Sequence, residues 1–166
     1  MIQIPSPRVA LIGAFALSAA LLAGAHGFQH IGGLAPCKLC LYQRDPHWAV
    51  VIIAGLGLIA HYRLGWSPRG PLALCALAFS IGAAIAFYHA GVEYALWPGP
   101  QSCTGSALSG ISGDALVDQL LATPVVRCDE VPWSLFGISM AGYNFLISEA
   151  AAIAIIIVLW RAGKQS

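Results

Sequence analysis

The chain has 166 residues, 58% of them hydrophobic and 9% charged, and its mean hydropathy is +0.77. Soluble domains carry about a quarter charged residues, so water is not the main solvent of this chain. Its net charge is +1 and it has no Lys/Arg-rich run to neutralise a row of phosphates, which argues against a nucleic-acid partner and for membrane lipid.

In chain order, the first apolar run covers about 9–25 and at ~1.5 Å per residue nearly crosses a hydrocarbon core of ~30 Å. Arg8 before it and Ala23-Gly24-Ala25 at its end also resemble a signal segment, but the run is longer than a usual signal core, and an uncleaved span is expected. The second run, about 47–62, is shorter, with Asp45-Pro46 reading as N-cap and first helical residue. The third, about 72–90, carries no Asp, Glu, Lys or Arg. The fourth, about 143–160, carries Glu149, an intramembrane acid left outside the expected site. These runs predict an all-α fold: one transmembrane domain over 1–166, an up-down four-helix bundle with two outer loops over about 26–46 and 91–142.

Arg8, Arg63, Arg69, Arg161 and Lys164 fall on one side of such a bundle, and Lys38, Arg44 and Arg127 on the other. The excess of basic residues puts both termini in the cytoplasm and both loops outside. Trp97 and Trp160 sit where interfacial aromatics belong. Within the second loop, Leu116, Val117, Leu120 and Leu121 share one helical face and Asp114 and Asp118 another, which suggests a short helix over 112–122 lying on the membrane surface or packing on the bundle.

Five cysteines are an odd number for a disulfide framework. Cys75 lies in an apolar run and reads as a small core residue. The others form two pairs, Cys37/Cys40 and Cys103/Cys128. Cys37-Lys38-Leu39-Cys40 is a C-x-x-C motif. Half a zinc site would need two more N or S ligands at matching spacing, and Cys103 and Cys128 have no C-x-x-C of their own, so no metal is expected. A staple closing so short a ring removes little unfolded-state entropy. Redox exchange, in which a small ring forms and opens readily, is the better reading.

Pro36 can open a helical turn in which Cys37, Cys40 and Arg44 fall at i, i+3 and i+7 along one face. A free thiol, with a pKa near about 8.5, is mostly protonated at neutral pH; a guanidinium and a helix N-terminus both favour the thiolate, by ~1.4 kcal/mol per unit of depression. Arg44 cannot lose its charge and can hold a negative charge on a bound acceptor; the plainer reading is an arginine pairing lipid phosphate or Asp45. Cys103 and Cys128 flank a loop with Gly99, Pro100, Gly105 and Pro124 near its ends. In an oxidising compartment they will pair, as a structural bridge or as a mobile disulfide that brings electrons to the membrane dithiol.

These residues resemble the DsbB family of disulfide bond formation proteins of bacterial inner membranes. Phe28 through Arg44, with its C-x-L-C-x-x-x-R core, is similar to the family's first outer loop, and Pro98 to Cys103 with Arg127 to Trp133 to its second. The likeness covers nearly the whole chain. It implies a bundle with two periplasmic loops that reoxidises a thioredoxin-like dithiol oxidase of the DsbA type and hands the electrons to ubiquinone or menaquinone. An oxidant as strong as that partner, at about −120 mV, needs an acceptor of still higher potential. Residue by residue, the resemblance implies attack by the partner at Cys103 and attack of Cys128 on Cys37. Cys40 is then released as a thiolate beside the quinone, with Arg44 stabilising the charge. His89 resembles the family's quinone-proximal histidine. Gln43 stands where some members carry an acid, and Lys38 adds a cation inside the motif.

Other classes fit some of these features. His26, His30, His47, His61 and His89 lie near span ends, and two of them could ligate a haem iron. A non-enzymatic membrane subunit would use its disulfides only to brace the outer loop. A reductase running electrons outward would share most of the same residues.

Overall fold

The computed structural model describes residues 5–100 and 126–164; Cys103 and the surface helix expected over 112–122 lie outside the described residues. Helix α1 (Pro7–His30) is capped by Ser6, whose Oγ accepts from the Val9 N–H at 3.4 Å, with Pro7 at its first turn. A short α2 (Lys38–Tyr42) leads through Gln43 into α3 (Arg44–Leu64), and α4 (Arg69–Glu93) and α5 (Met140–Lys164) complete the chain of helices. Between α4 and α5, β1 (Ser134–Leu135) pairs antiparallel with β2 (Ile138–Ser139). Strands of two residues leave no alternation to read, so the sequence shows no strand-like run there.

Helix α1, the α2–α3 run, α4 and α5 are each long and apolar enough to cross a membrane, with mean hydropathies of 1.4 to 2.0. All extend past the apolar runs. A helix of 24 residues is about 36 Å long, and the added turns keep backbone N–H and C=O groups paired through the membrane boundary, where the side chains are already polar. Helix α3 begins at Arg44 rather than Pro46, and its N-cap is Gln43, which makes no side-chain cap bond. Helix α2 runs into it with one residue between, so the Asp45-Pro46 start signal is overridden.

Helix α4 packs against α5 and α3, and α3 against α1, in an up-down bundle. Arg69 Nη2 donates to the Ala162 carbonyl at 2.8 Å, which ties the start of α4 to the end of α5 at one end of the bundle. The core holds Leu11, Ala14, Val50, Ala54, Leu72, Phe79, Ala152 and Ile155, with Cys75 fully buried among them, in the place expected from its apolar run. Small side chains let helices approach closely, which is how bundles gain attraction when lipid tails are as apolar as leucine. Ile52, Leu56, Ile59, Leu74, Leu77, Ile81, Ile153 and Ile156 point outward, as lipid-facing positions do.

Helix α3 lies tight against α4 at Gly57, where a Cβ would lie 2.6 Å from Pro71 Cβ and 3.3 Å from Leu11 Cδ2. At Gly55 a Cβ would meet only Phe15, at an ordinary 3.6 Å. Gly57→Ala is expected to destabilise the bundle by about 1–3 kcal/mol through overpacking, and Gly55→Ala to leave it within about 0.5 kcal/mol, read as shifts in reversible unfolding in mixed detergent.

Candidate functional site: a membrane-boundary dithiol

The sulfur chemistry gathers at the opposite end of the bundle from Arg69. Pro36 does not open the helical turn; Cys37 is itself the N-cap of α2, its Sγ accepting from the Cys40 N–H at 3.1 Å. That turn brings Cys37 Sγ to 2.8 Å from Cys40 Sγ. Cys37 is buried with Leu39, Val92 and Cys128, and Cys40 and Trp97 pack against this cluster. Cys37, Cys40 and Cys75 are free thiols, whereas Cys128 is disulfide-bonded. The fold therefore sets the two outer loops' cysteines side by side: Cys37 from the first and Cys128 from the second.

The C-x-x-C pair is not symmetric. The Cys37 thiol is pushed up from its ordinary value, first by its hydrogen bond to Cys40 and then by burial. A helix N-terminus would favour a Cys37 thiolate, and here these two effects outweigh it. The shift favours the thiol form at Cys37, which shares a hydrogen bond with the neighbouring sulfur.

His89, near the outer end of α4, faces this pair, its Nε2 3.5 Å from Cys37 Sγ and 3.8 Å from Glu93 Oε1. The ring also hydrogen-bonds to the Cys128 backbone, and its Nδ1 takes a 2.5 Å bond from Gln43 Nε2. Cys37, Cys40 and His89 thus bring three possible metal-ligating atoms within 4.8 Å of one another, a cluster that chain spacing does not reveal. Glu93 follows His89 by one helical turn, and its other carboxylate oxygen, Oε2, is buried without a partner among the described residues. Sequence reasoning left Glu93 out of the site, although the i, i+4 spacing from His89 on a helix carried the signal.

Arg44 donates from Nη1 to Gln29 Oε1 at 2.6 Å and from Nη2 to the Ala25 carbonyl at 3.5 Å, so α1 aims its guanidinium. Among the described residues it makes no ion pair with Asp45. Arg44, Cys40, His89, Glu93, Trp133 and Met140 line one cavity of about 410 Å³, whose walls are otherwise mostly apolar. Small-molecule sites are commonly of this kind, about 300–1,000 Å³ with a few convergent polar groups. Beyond it, Arg127 makes a fork to Asp129, Nε to Oδ1 at 2.9 Å and Nη2 to Oδ2 at 2.6 Å, beside Cys128. Those hydrogen bonds hold the Asp129 carboxyl below the usual range.

The histidines do not form a haem slot. His47 and His89 each use both ring nitrogens on protein groups, His61 bonds the Trp66 carbonyl, and His26 and His30 stack on each other at 5.9 Å.

Four membrane-length helices that hold a close dithiol against a bonded third cysteine define a membrane thiol-disulfide protein. The chain belongs to the DsbB family: the family model described as disulfide bond formation protein DsbB matches residues 7–159. It is similar to proteins named disulfide bond formation protein B from Paracidovorax citrulli, at 29% identity over 97% of this chain and 91% of the relative, and from Stutzerimonas stutzeri, at 30% over 98% and 99%. The one from Methylococcus capsulatus is 31% identical over 97% of this chain and 99% of its own length. No solved structure matches the chain. Membership makes it a multi-pass membrane protein of disulfide bond formation.

The asymmetry of the pair is open to direct labelling. Brief alkylation of the reduced protein near pH 7, followed by mass spectrometry, is expected to modify half-buried Cys40 at least about tenfold faster than Cys37, because a raised pKa means less thiolate. In Cys40→Ser the larger cause of the shift is gone, and Cys37 labelling at the same pH is expected to rise.

Proposed function

We propose that this chain reoxidises a thioredoxin-like dithiol oxidase outside the membrane and passes the electrons to a membrane quinone. The observation that carries this reading is the Cys37–Cys40 pair, at 2.8 Å, beside the cavity that Arg44 and His89 line and packed against disulfide-bonded Cys128. On this reading Cys103 is the partner of Cys128 and takes the attack of the incoming thiolate. Cys128 is then released as a thiolate and attacks Cys37 in an oxidised Cys37–Cys40 link, and Cys40 leaves with the negative charge. Packing of Cys37 against Cys128 in one buried cluster supports this exchange, which needs sulfurs that can meet. The partner's second thiol then displaces Cys103, which recaptures Cys128 and frees Cys37; this leaves the oxidised partner, the Cys103–Cys128 link and a reduced Cys37/Cys40 pair that has still to be closed. Closing it removes two electrons and two protons from the thiols.

The cavity fits a quinone head group. Its walls are largely apolar, it lies next to Cys40, and Arg44 offers fork donors to a carbonyl oxygen while keeping its charge. A quinone bound there supplies the two-electron, two-proton sink. Arg44 would hold it and stabilise negative charge near Cys40, and His89 would donate toward Cys37 Sγ. The basic residues support an inner-membrane placement with both termini cytoplasmic: Arg63 near the end of α3, Arg69 at the start of α4 and Arg161 and Lys164 near the end of α5 share one end of the bundle.

The test is to incubate the purified protein with a reduced thioredoxin-like oxidase and a short-chain quinone while following quinone absorbance. Turnover is expected for the native chain and none for the Cys37, Cys40, Cys103 or Cys128 single serine variants. A Cys40→Ser protein that keeps its biological role would sink the reading in favour of purely structural disulfides. Arg44→Gln is expected to lower kcat/KM for quinone about 10- to 100-fold, as loss of a hydrogen bond to developing charge would.

A further inference from the structure

A line of hydrogen bonds runs from the middle of the bundle to the sulfur pair. Ser18 Oγ lies 3.3 Å from His47 Nδ1, and His47 Nε2 lies 2.9 Å from Asn144 Oδ1. Asn144 Nδ2 lies 2.7 Å from Gln43 Oε1, and Gln43 Nε2 lies 2.5 Å from His89 Nδ1. The line crosses α1, α3 and α5 and reaches α4, and Ser18, Gln43, His47 and His89 are each at most 7% exposed.

Its direction is set at the sulfur end. A neutral imidazole has one N–H and one lone pair. His89 Nε2 faces Cys37 Sγ at 3.5 Å and a Glu93 carboxyl oxygen at 3.8 Å, so a lone pair there would face other lone pairs and an N–H is favoured. Nδ1 must then accept, which turns the Gln43 NH₂ toward it and the Gln43 carbonyl toward the Asn144 NH₂. Asn144 Oδ1 is left to accept from His47 Nε2–H and from the Ser148 hydroxyl, at 3.2 Å, and His47 Nδ1 accepts from Ser18. Every donor points outward along one sense. Two links are amides, which do not pass a proton on readily, so the line orients rather than conducts.

We propose that Ser18, His47, Asn144 and Gln43 are positioning residues that hold His89 in the tautomer whose Nε2–H faces Cys37. His89 is thereby a hydrogen-bond donor to sulfur, aiding charge on the dithiol, and not a base toward it. This deepens the redox reading of the same site and rests on it only for the meaning of thiol reactivity; the tautomer stands apart from it.

The experiment is ¹⁵N NMR of the full-length, histidine-labelled, reduced and quinone-free protein, with the rate of Cys40 alkylation as a second readout. In the native chain His89 is expected to show a pyrrole-like Nε2 and a pyridine-like Nδ1. Asn144→Leu and His47→Phe break the line at different places, and in both the two His89 signals are expected to move toward a tautomer mixture while alkylation slows about three- to tenfold. Ser148→Ala removes a side branch and is expected to leave His89 unchanged. An Nε2–H tautomer that survives in both Asn144→Leu and His47→Phe overturns the proposal, as does an equal shift in all three variants. Failure of the native chain to reduce quinone would instead sink the proposed function and leave the tautomer result untouched.

Discussion

A polar group carried into this bundle has to find its partner there, because lipid supplies none. That constraint explains why the backbone is spent on long helices and why the polar side chains inside are linked to one another. Ser18, His47, Asn144 and Gln43 come from different parts of the chain and would each be costly alone. Joined, they satisfy one another and end at His89, beside the sulfurs. Away from that line the core is closed by apolar side chains such as Leu11, Val50, Phe79 and Ile155 and by buried Cys75, where no such pairing is needed.

The reactive sulfurs sit where that dry interior gives way to the loops. Cys37 is sealed under Leu39, Val92 and Cys128, while Cys40 is only partly covered and lines the cavity. The difference in cover and the hydrogen bond between the two sulfurs make unlike groups of two identical side chains. One favours the thiol form in a closed cluster against the second loop, and the other looks toward a space that an apolar acceptor can enter. A dithiol with the proposed role, between a protein on one side and a lipid-soluble molecule on the other, needs that division.

Arg44 is held by the protein itself: Gln29 and the Ala25 carbonyl, both on α1, accept from its fork. A guanidinium fixed by two protein acceptors still has donors to spare and lines the cavity. Gln29 belongs to the same Phe28-Gln29-His30 stretch that carries the family likeness, which gives that stretch a physical task.

His89 became a candidate only through the family resemblance, whereas the amino-acid sequence by itself determined the membrane class, the number of spans, a C-x-x-C motif suited to redox exchange and the candidacy of Arg44. Each of these is a local signal, carried by runs of apolar residues, by i, i+3 spacing or by a short motif. Only the tertiary structure decided that Cys37 rather than Pro36 begins its helical turn and that Cys37 lies against Cys128. It also decided that Glu93 belongs to the site and that a line of polar groups reaches it from Ser18. Those outcomes depend on which helices become neighbours, since Ser18 and His47, or Gln43 and Asn144, are far apart along the chain and no spacing rule connects them. Burial sets the energy of each polar contact, and burial is a property of the packed bundle that no single segment possesses.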